Sequence, residues 1–164
     1  MSTKADYTPD EWQLLLDVPP LVGTAVMVAG RSGLGSVKEA MAVASGTLNA
    51  KDGYEDNELI EALIEGRIKD GDRAEIERLG SDYRGQRSVE IRGAAVKKCQ
   101  QVTELLLAKS NDAEASQYKH WAISVAQKVA SAAKEGGFLG IGGERVSESE
   151  QEIIEAVTTA LGVG

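Results

Sequence analysis

Apolar residues recur at intervals of three and four along most of this chain, and this spacing constrains the fold more than any other feature. Val37, Ala40, Met41, Ala44 and Leu48 form one such stripe. Intervals of three and four place side chains on one face of an α-helix, whereas a half-buried strand needs strict alternation. Comparable stripes run through 59–64, 89–106, 118–132 and 153–161. The sequence therefore predicts an all-α fold, a single-domain helical bundle of about five to seven helices spanning residues 1–164.

The start of the first helix is marked by a capping box. Thr8 and Glu11 have the spacing in which each side chain accepts a hydrogen bond from the other residue's amide, and Pro9 occupies the first helical position. Tyr7 and Trp12 stand at the flanking positions where apolar side chains meet in a hydrophobic staple. We expect a helix to begin here.

Two consecutive prolines then interrupt the pattern. Because a proline inside a helix removes a backbone donor, Val18-Pro-Pro20 is expected to end the first helix and Pro19-Pro20 to begin a second. Residues 21–29 are apolar and rich in valine, which is typical of either a buried strand or a buried helix. We choose the helix, because the chain offers no other convincing strand to pair with.

The second half of the chain has equally clear punctuation. Residues 69–88 are polar and broken by glycines, so we expect a mobile connection with one short helix at most, over 74–79. Ser147 and Glu150 form another capping box, which predicts the start of a last helix that Gly162 ends.

Composition limits the core and the partners. One Phe, two Trp and four Tyr among 164 residues leave Ala, Val, Leu and Ile to fill the interior. The formal net charge of −8 disfavours nucleic acid or anionic lipid as a partner, since phosphate binding needs clustered Lys and Arg. An acidic stretch at 51–66 and a basic one at 84–98 are expected to be solvated faces that partly neutralise each other.

Cysteine content and apolar runs point to a compartment. Cys99 is the single cysteine and forms no intrachain disulfide, and the N-terminal residues do not have the pattern of a signal peptide. The longest apolar stretch, 21–29, is about half the length that a membrane-spanning helix requires. We expect a cytoplasmic protein without a transmembrane segment.

Few motifs suggest catalysis. Gly30 to Ser36 has the outer spacing of a phosphate loop but lacks its lysine, so a tight turn between helices is the better interpretation. A dyad of Cys99 with His120, the single histidine, competes with a buried thiol on an apolar stripe, which we favour. We expect neither a catalytic residue nor a cofactor.

Carboxylates near three helix starts suggest weak ligand sites. The candidate ligands for a divalent cation are Asp52, Asp56, Glu144, Glu148 and Glu150. A rival small-molecule pocket between helices would use Arg31, Ser32 and Lys38 with the carboxylates near Asp56. The simpler interpretation is that these carboxylates compensate helix dipoles.

The glycine-rich loop at 136–143 is the most unusual segment, because the single phenylalanine lies in it. The predicted interaction loop consists of Phe138, Leu139, Gly140, Ile141, Gly142 and Gly143. Either these apolar side chains fold back to plug the base of the bundle, or they dock onto a partner chain or a ligand.

Residues 129–150, VASAAKEGGFLGIGGERVSESE, and the ending Ala160-Leu-Gly162 resemble an uncharacterised bacterial family of small helical proteins. The same segment is distantly similar to the TerB-like helical domains of tellurite resistance. Gly143 to Ser147 of this chain matches the second half of a loop that recurs in those domains. Gly142 stands where that family has an acidic residue. The resemblance implies a helical, non-enzymatic protein-binding or scaffold module, whose partner is another protein or a second copy of this chain.

Overall fold

The computed structural model describes residues 2–30, 37–48, 53–54, 56–70, 88–135 and 146–164, and these form a helical bundle. The described ranges contain six α-helices: α1 (Pro9–Ala29), α2 (Val37–Leu48), α3 (Glu58–Asp70), α4 (Ser88–Lys109), α5 (Asp112–Glu135) and α6 (Glu148–Ala160). A short 3-10 turn at Lys4–Asp6 precedes α1. The predicted all-α bundle of five to seven helices is confirmed.

The centre of the bundle is formed by α1 and α5, which run parallel. The Tyr118 hydroxyl donates to the Leu15 carbonyl near the start of both helices, and Gly23 lies against Val125 and Val129 further along. Helix α2 packs on α5, while α4 and α6 cover the other side of α1. The core consists mainly of Val, Leu, Ile and Ala side chains, as the composition predicts.

Glycine allows α1 to approach its neighbours closely. A Cβ at Gly23 would lie 3.0 Å from the Val125 Cγ1 and 3.1 Å from the Val43 Cγ2, which is tighter than ordinary packing. One turn earlier on the same face of α5, the buried Trp121 Nε1 donates to the Gly46 carbonyl of α2 at 3.1 Å. Three helices therefore meet at small residues, and larger side chains have no room there.

The prediction that Pro19-Pro20 separates two helices is wrong, because α1 continues through both prolines. In an α-helix the amides of residues 19 and 20 would donate to the carbonyls of Leu15 and Leu16. Proline has no amide hydrogen, so both carbonyls lose their partner inside the helix. The prediction that residues 21–29 are helical is confirmed.

Two side chains from distant helices satisfy these carbonyls. Tyr118, fully buried on α5, donates its hydroxyl to the Leu15 carbonyl at 2.7 Å. Arg67, which is 1% exposed on α3, donates its Nη2 to the Leu16 carbonyl. A buried carbonyl without a partner costs roughly as much as a lost hydrogen bond, so this pair of contacts explains how α1 remains a helix.

The predicted capping boxes are both present. The Thr8 amide donates to the Glu11 Oε2 at 2.7 Å, and the Glu11 amide donates to the Thr8 hydroxyl at 3.3 Å. The staple rings of Tyr7 and Trp12 lie 5.9 Å apart. Ser147 and Glu150 repeat this arrangement at α6, although here the glutamate side chain is buried.

Two features of residues 69–98 differ from the prediction. Helix α3 extends to Asp70 and α4 begins at Ser88, so both ends of the connection predicted at 69–88 are helical. Residues 71–87, including the short helix predicted over 74–79, lie outside the described residues. The basic residues Arg92 and Lys98 pair with α6 and α1, through Glu152 and Asp17, rather than with the acidic stretch at 51–66.

One helix among the described residues, α1, is long and apolar enough to cross a membrane by length and composition. The prolines do not end the helix, so this apolar segment is longer than the nine residues counted from the sequence. In the fold, 67% of the most apolar 18-residue stretch of α1 is buried against other helices. Its buried Asp17 accepts from Lys98 at 2.7 Å, an arrangement that is typical of a core helix.

Candidate protein-interaction surface

A groove with a volume of about 470 Å³ lies between α4 and α6. The two helices run parallel, because Arg92 pairs with Glu152 at 3.2 Å near their starts and Thr103 donates to the Ala160 carbonyl at 3.2 Å near their ends. The groove is open to solvent along this length. It has the form of a shallow trough on the surface rather than an enclosed pocket.

The floor and the rim of this groove differ in chemistry. The floor consists of the half-buried Val96, Ala156 and Ala160, which are small apolar residues. The rim carries the charged side chains of Arg92, Glu152 and Glu155. An apolar floor with a charged rim is the anatomy of a protein-binding surface, in which apolar contacts supply affinity and charges supply orientation.

Helix α4 places further apolar residues beside the groove. Val89 is 76% exposed and Leu107 is 71% exposed, the most exposed large apolar side chains of the described ranges. They are 18 residues apart, and 18 residues make five turns of an α-helix, so both lie on one face. Val96 and the exposed Gly93 lie on the same face between them. We call this face, together with the α4–α6 groove, the α4–α6 surface.

The sequence assigned Val89 to the buried stripe of this helix, and that assignment is wrong. Ile91, Ala95, Cys99 and Val102 form the buried stripe instead. Because Val89 is two residues before Ile91, its side chain lies about 200° around the helix axis from the buried Ile91 and points away from the core. The spacing of the buried residues contains this signal, since Ile91 fits intervals of three and four and Val89 does not.

Charge is distributed unevenly over the two helices. Helix α4 has the sequence SVEIRGAAVKKCQQVTELLLAK, with four basic and two acidic side chains. Helix α6 has the sequence ESEQEIIEAVTTA, with four acidic side chains and no basic one. Helix α4 is therefore net basic and α6 is acidic, but two of the four basic side chains of α4, Lys98 and Lys109, are paired with Asp17 and Glu11 of α1.

A second groove lies on the other flank of α4, against α1, with a volume of about 410 Å³. An ion pair closes its base, because the Asp17 carboxylate accepts from Lys98 Nζ at 2.7 Å and from Gln13 Nε2 at 2.9 Å. These polar groups bind one another, so the groove offers less to a ligand than its volume suggests. The ion pair between Asp17 and Lys98 holds α1 against α4.

A polar depression at the N-terminal end is likewise built from groups that bind each other. The Ser2 amide and hydroxyl donate to the buried Glu114 carboxylate at 2.9 and 3.0 Å, and Asn111 donates to it at 3.0 Å. Lys109 Nζ donates to the Asp6 carbonyl at 3.0 Å. This network fastens the first residues to the turn between α4 and α5, which is a structural role.

Cys99 and His120 lie in different environments. Cys99 is fully buried between apolar residues, and burial raises the pKa of its thiol to about 12. His120 is exposed on α5, where its Nδ1 lies 2.8 Å from the Ser116 carbonyl. A thiol with so high a pKa is a poor nucleophile at neutral pH, which agrees with the predicted buried thiol rather than the dyad.

The described cation candidates do not converge. Asp56 is exposed before α3, next to Asn57, whose amide donates to Gln117 near the start of α5. Glu148 is exposed at the start of α6, and Glu150 lies beside Gly30 at the end of α1. Because α1 and α5 are parallel, these positions lie at opposite ends of the bundle. Within the described ranges, no group of three or more His, Cys, Asp or Glu residues is placed to hold a metal ion.

Several predicted site residues lie outside the described ranges. These are Asp52, Glu144, the interaction loop from Phe138 to Gly143, and the Arg31 and Ser32 of the rival pocket. Lys38 belongs to α2, but its side chain is not described. The hypotheses that rest on these residues stay predictions.

Comparisons of the chain with protein-family models, with curated proteins and with solved structures find no match. The similarity to TerB-like domains therefore rests on the residues of the last quarter of the sequence alone.

Proposed function

We propose that this protein is a non-enzymatic protein-binding module and that the α4–α6 surface is its binding face. One observation carries the proposal: Val89 and Leu107, large and apolar, lie exposed on one face of α4 beside an open groove with an apolar floor. The apolar side chains that form the core, in contrast, are covered by their neighbours. Apolar side chains that a fold leaves exposed along one line favour a partner surface.

The shape of the groove supports a protein partner over a small molecule. Ligand pockets enclose most of a small molecule's surface, whereas this trough is open along its length. A trough beside a helix ridge suits another helix, which presents residues every three or four positions along its own axis. The proposal extends to the scaffold role and the cytoplasmic location that the sequence predicts, and the single buried thiol suits a reducing compartment.

A photo-crosslinking amino acid tests the proposal. We would place it at Gln100, which is exposed and lines the groove, and at Glu61, which is exposed on α3, as the matched control. The proposal predicts a discrete crosslinked product in cells from position 100 and not from position 61. The product should disappear when Val89→Ser and Leu107→Ser are added, because these changes remove the apolar contacts and leave the groove walls intact.

Equal yields from positions 100 and 61 would show non-specific proximity and contradict the proposal. Crosslinking that persists at position 100 with Val89→Ser and Leu107→Ser would contradict the assignment of the apolar line. If the chain never crosslinks from position 100, the assignment of the α4–α6 surface as the binding face is wrong.

A further inference from the structure

We draw no further inference here: the strongest candidate, the exposed apolar face of α4 with Val89 and Leu107 at its two ends, belongs to the α4–α6 surface already described, and nothing in the structure shows what covers it.

Discussion

Tyr118→Phe tests the explanation of how α1 passes through two prolines. The substitution removes one oxygen and keeps the ring, so it leaves the packing of the core unchanged. The atom removed is the donor that lies 2.7 Å from the Leu15 carbonyl, and both residues are fully buried. An acceptor left unsatisfied in the core costs about 1–3 kcal/mol of unfolding free energy. We expect a loss in that range, which is a large fraction of the stability of a small domain.

Two further variants make the result specific. Tyr54→Phe is the matched control, because that hydroxyl is half-buried and lies at Ser124, where water can replace it. We expect this variant to lose about 1 kcal/mol at most. Pro19→Ala restores an amide that can donate to the Leu15 carbonyl, so Tyr118→Phe should cost less in the Pro19→Ala background than in the wild type. The difference is a coupling energy of about 0.5–3 kcal/mol.

Urea unfolding followed by far-UV circular dichroism measures these free energies. The protein concentration is kept the same for every variant, so that any association of folded chains contributes equally to all of them. Equal losses for Tyr118→Phe and Tyr54→Phe would refute the reasoning. So would a Tyr118→Phe loss that is the same with proline and with alanine at position 19, because the carbonyl would then have a different partner.

Three other substitutions or reactions give defined outcomes. Ser147→Ala removes the cap of α6 and should cost about 0.5–2 kcal/mol in urea unfolding, whereas the exposed Ser149→Ala should stay within about 0.5 kcal/mol. Gly23→Ala forces a Cβ against valines of α2 and α5 and should cost about 1–3 kcal/mol, whereas Gly66→Ala on α3 meets no neighbour and should stabilise by about 0.5–1 kcal/mol. Burial raises the pKa of Cys99 to about 12, so a thiol-reactive chromogenic disulfide at pH 8 should label the unfolded chain and leave the native one unreacted; rapid native labelling would contradict the burial.

Local signals allowed much of the fold to be predicted from the sequence. The capping boxes at Thr8 and Ser147 fix two helix starts, because the bonds involve residues only three positions apart. Two other caps were missed although their signal is equally local. The Asn57 side chain accepts from the Ile60 amide at 3.0 Å, and the Asn111 side chain accepts from the Glu114 amide at 3.0 Å. Asparagine is a strong cap, and these two positions could have been assigned.

The continuity of α1 had no local signal. Pro19 and Pro20 predict a break, and what overrides them is a hydroxyl from Tyr118 and a guanidinium from Arg67. Both partners lie about 50 to 100 residues away in the chain, so only the tertiary structure brings them together. The α4–α6 surface is an intermediate case. The helical phase of Val89 is readable from the stripe that begins at Ile91, but its position beside α6 is not.

The most direct test of the account is whether the α4–α6 surface is where this chain makes contact. Photo-crosslinking in cells from single exposed positions on each helix reports this residue by residue. We expect crosslinked products from positions 93 and 100 of α4 and from position 155 of α6, and none from position 61 of α3. Crosslinks from α3 alone, or equal yields from every position, would contradict the assignment of the α4–α6 surface.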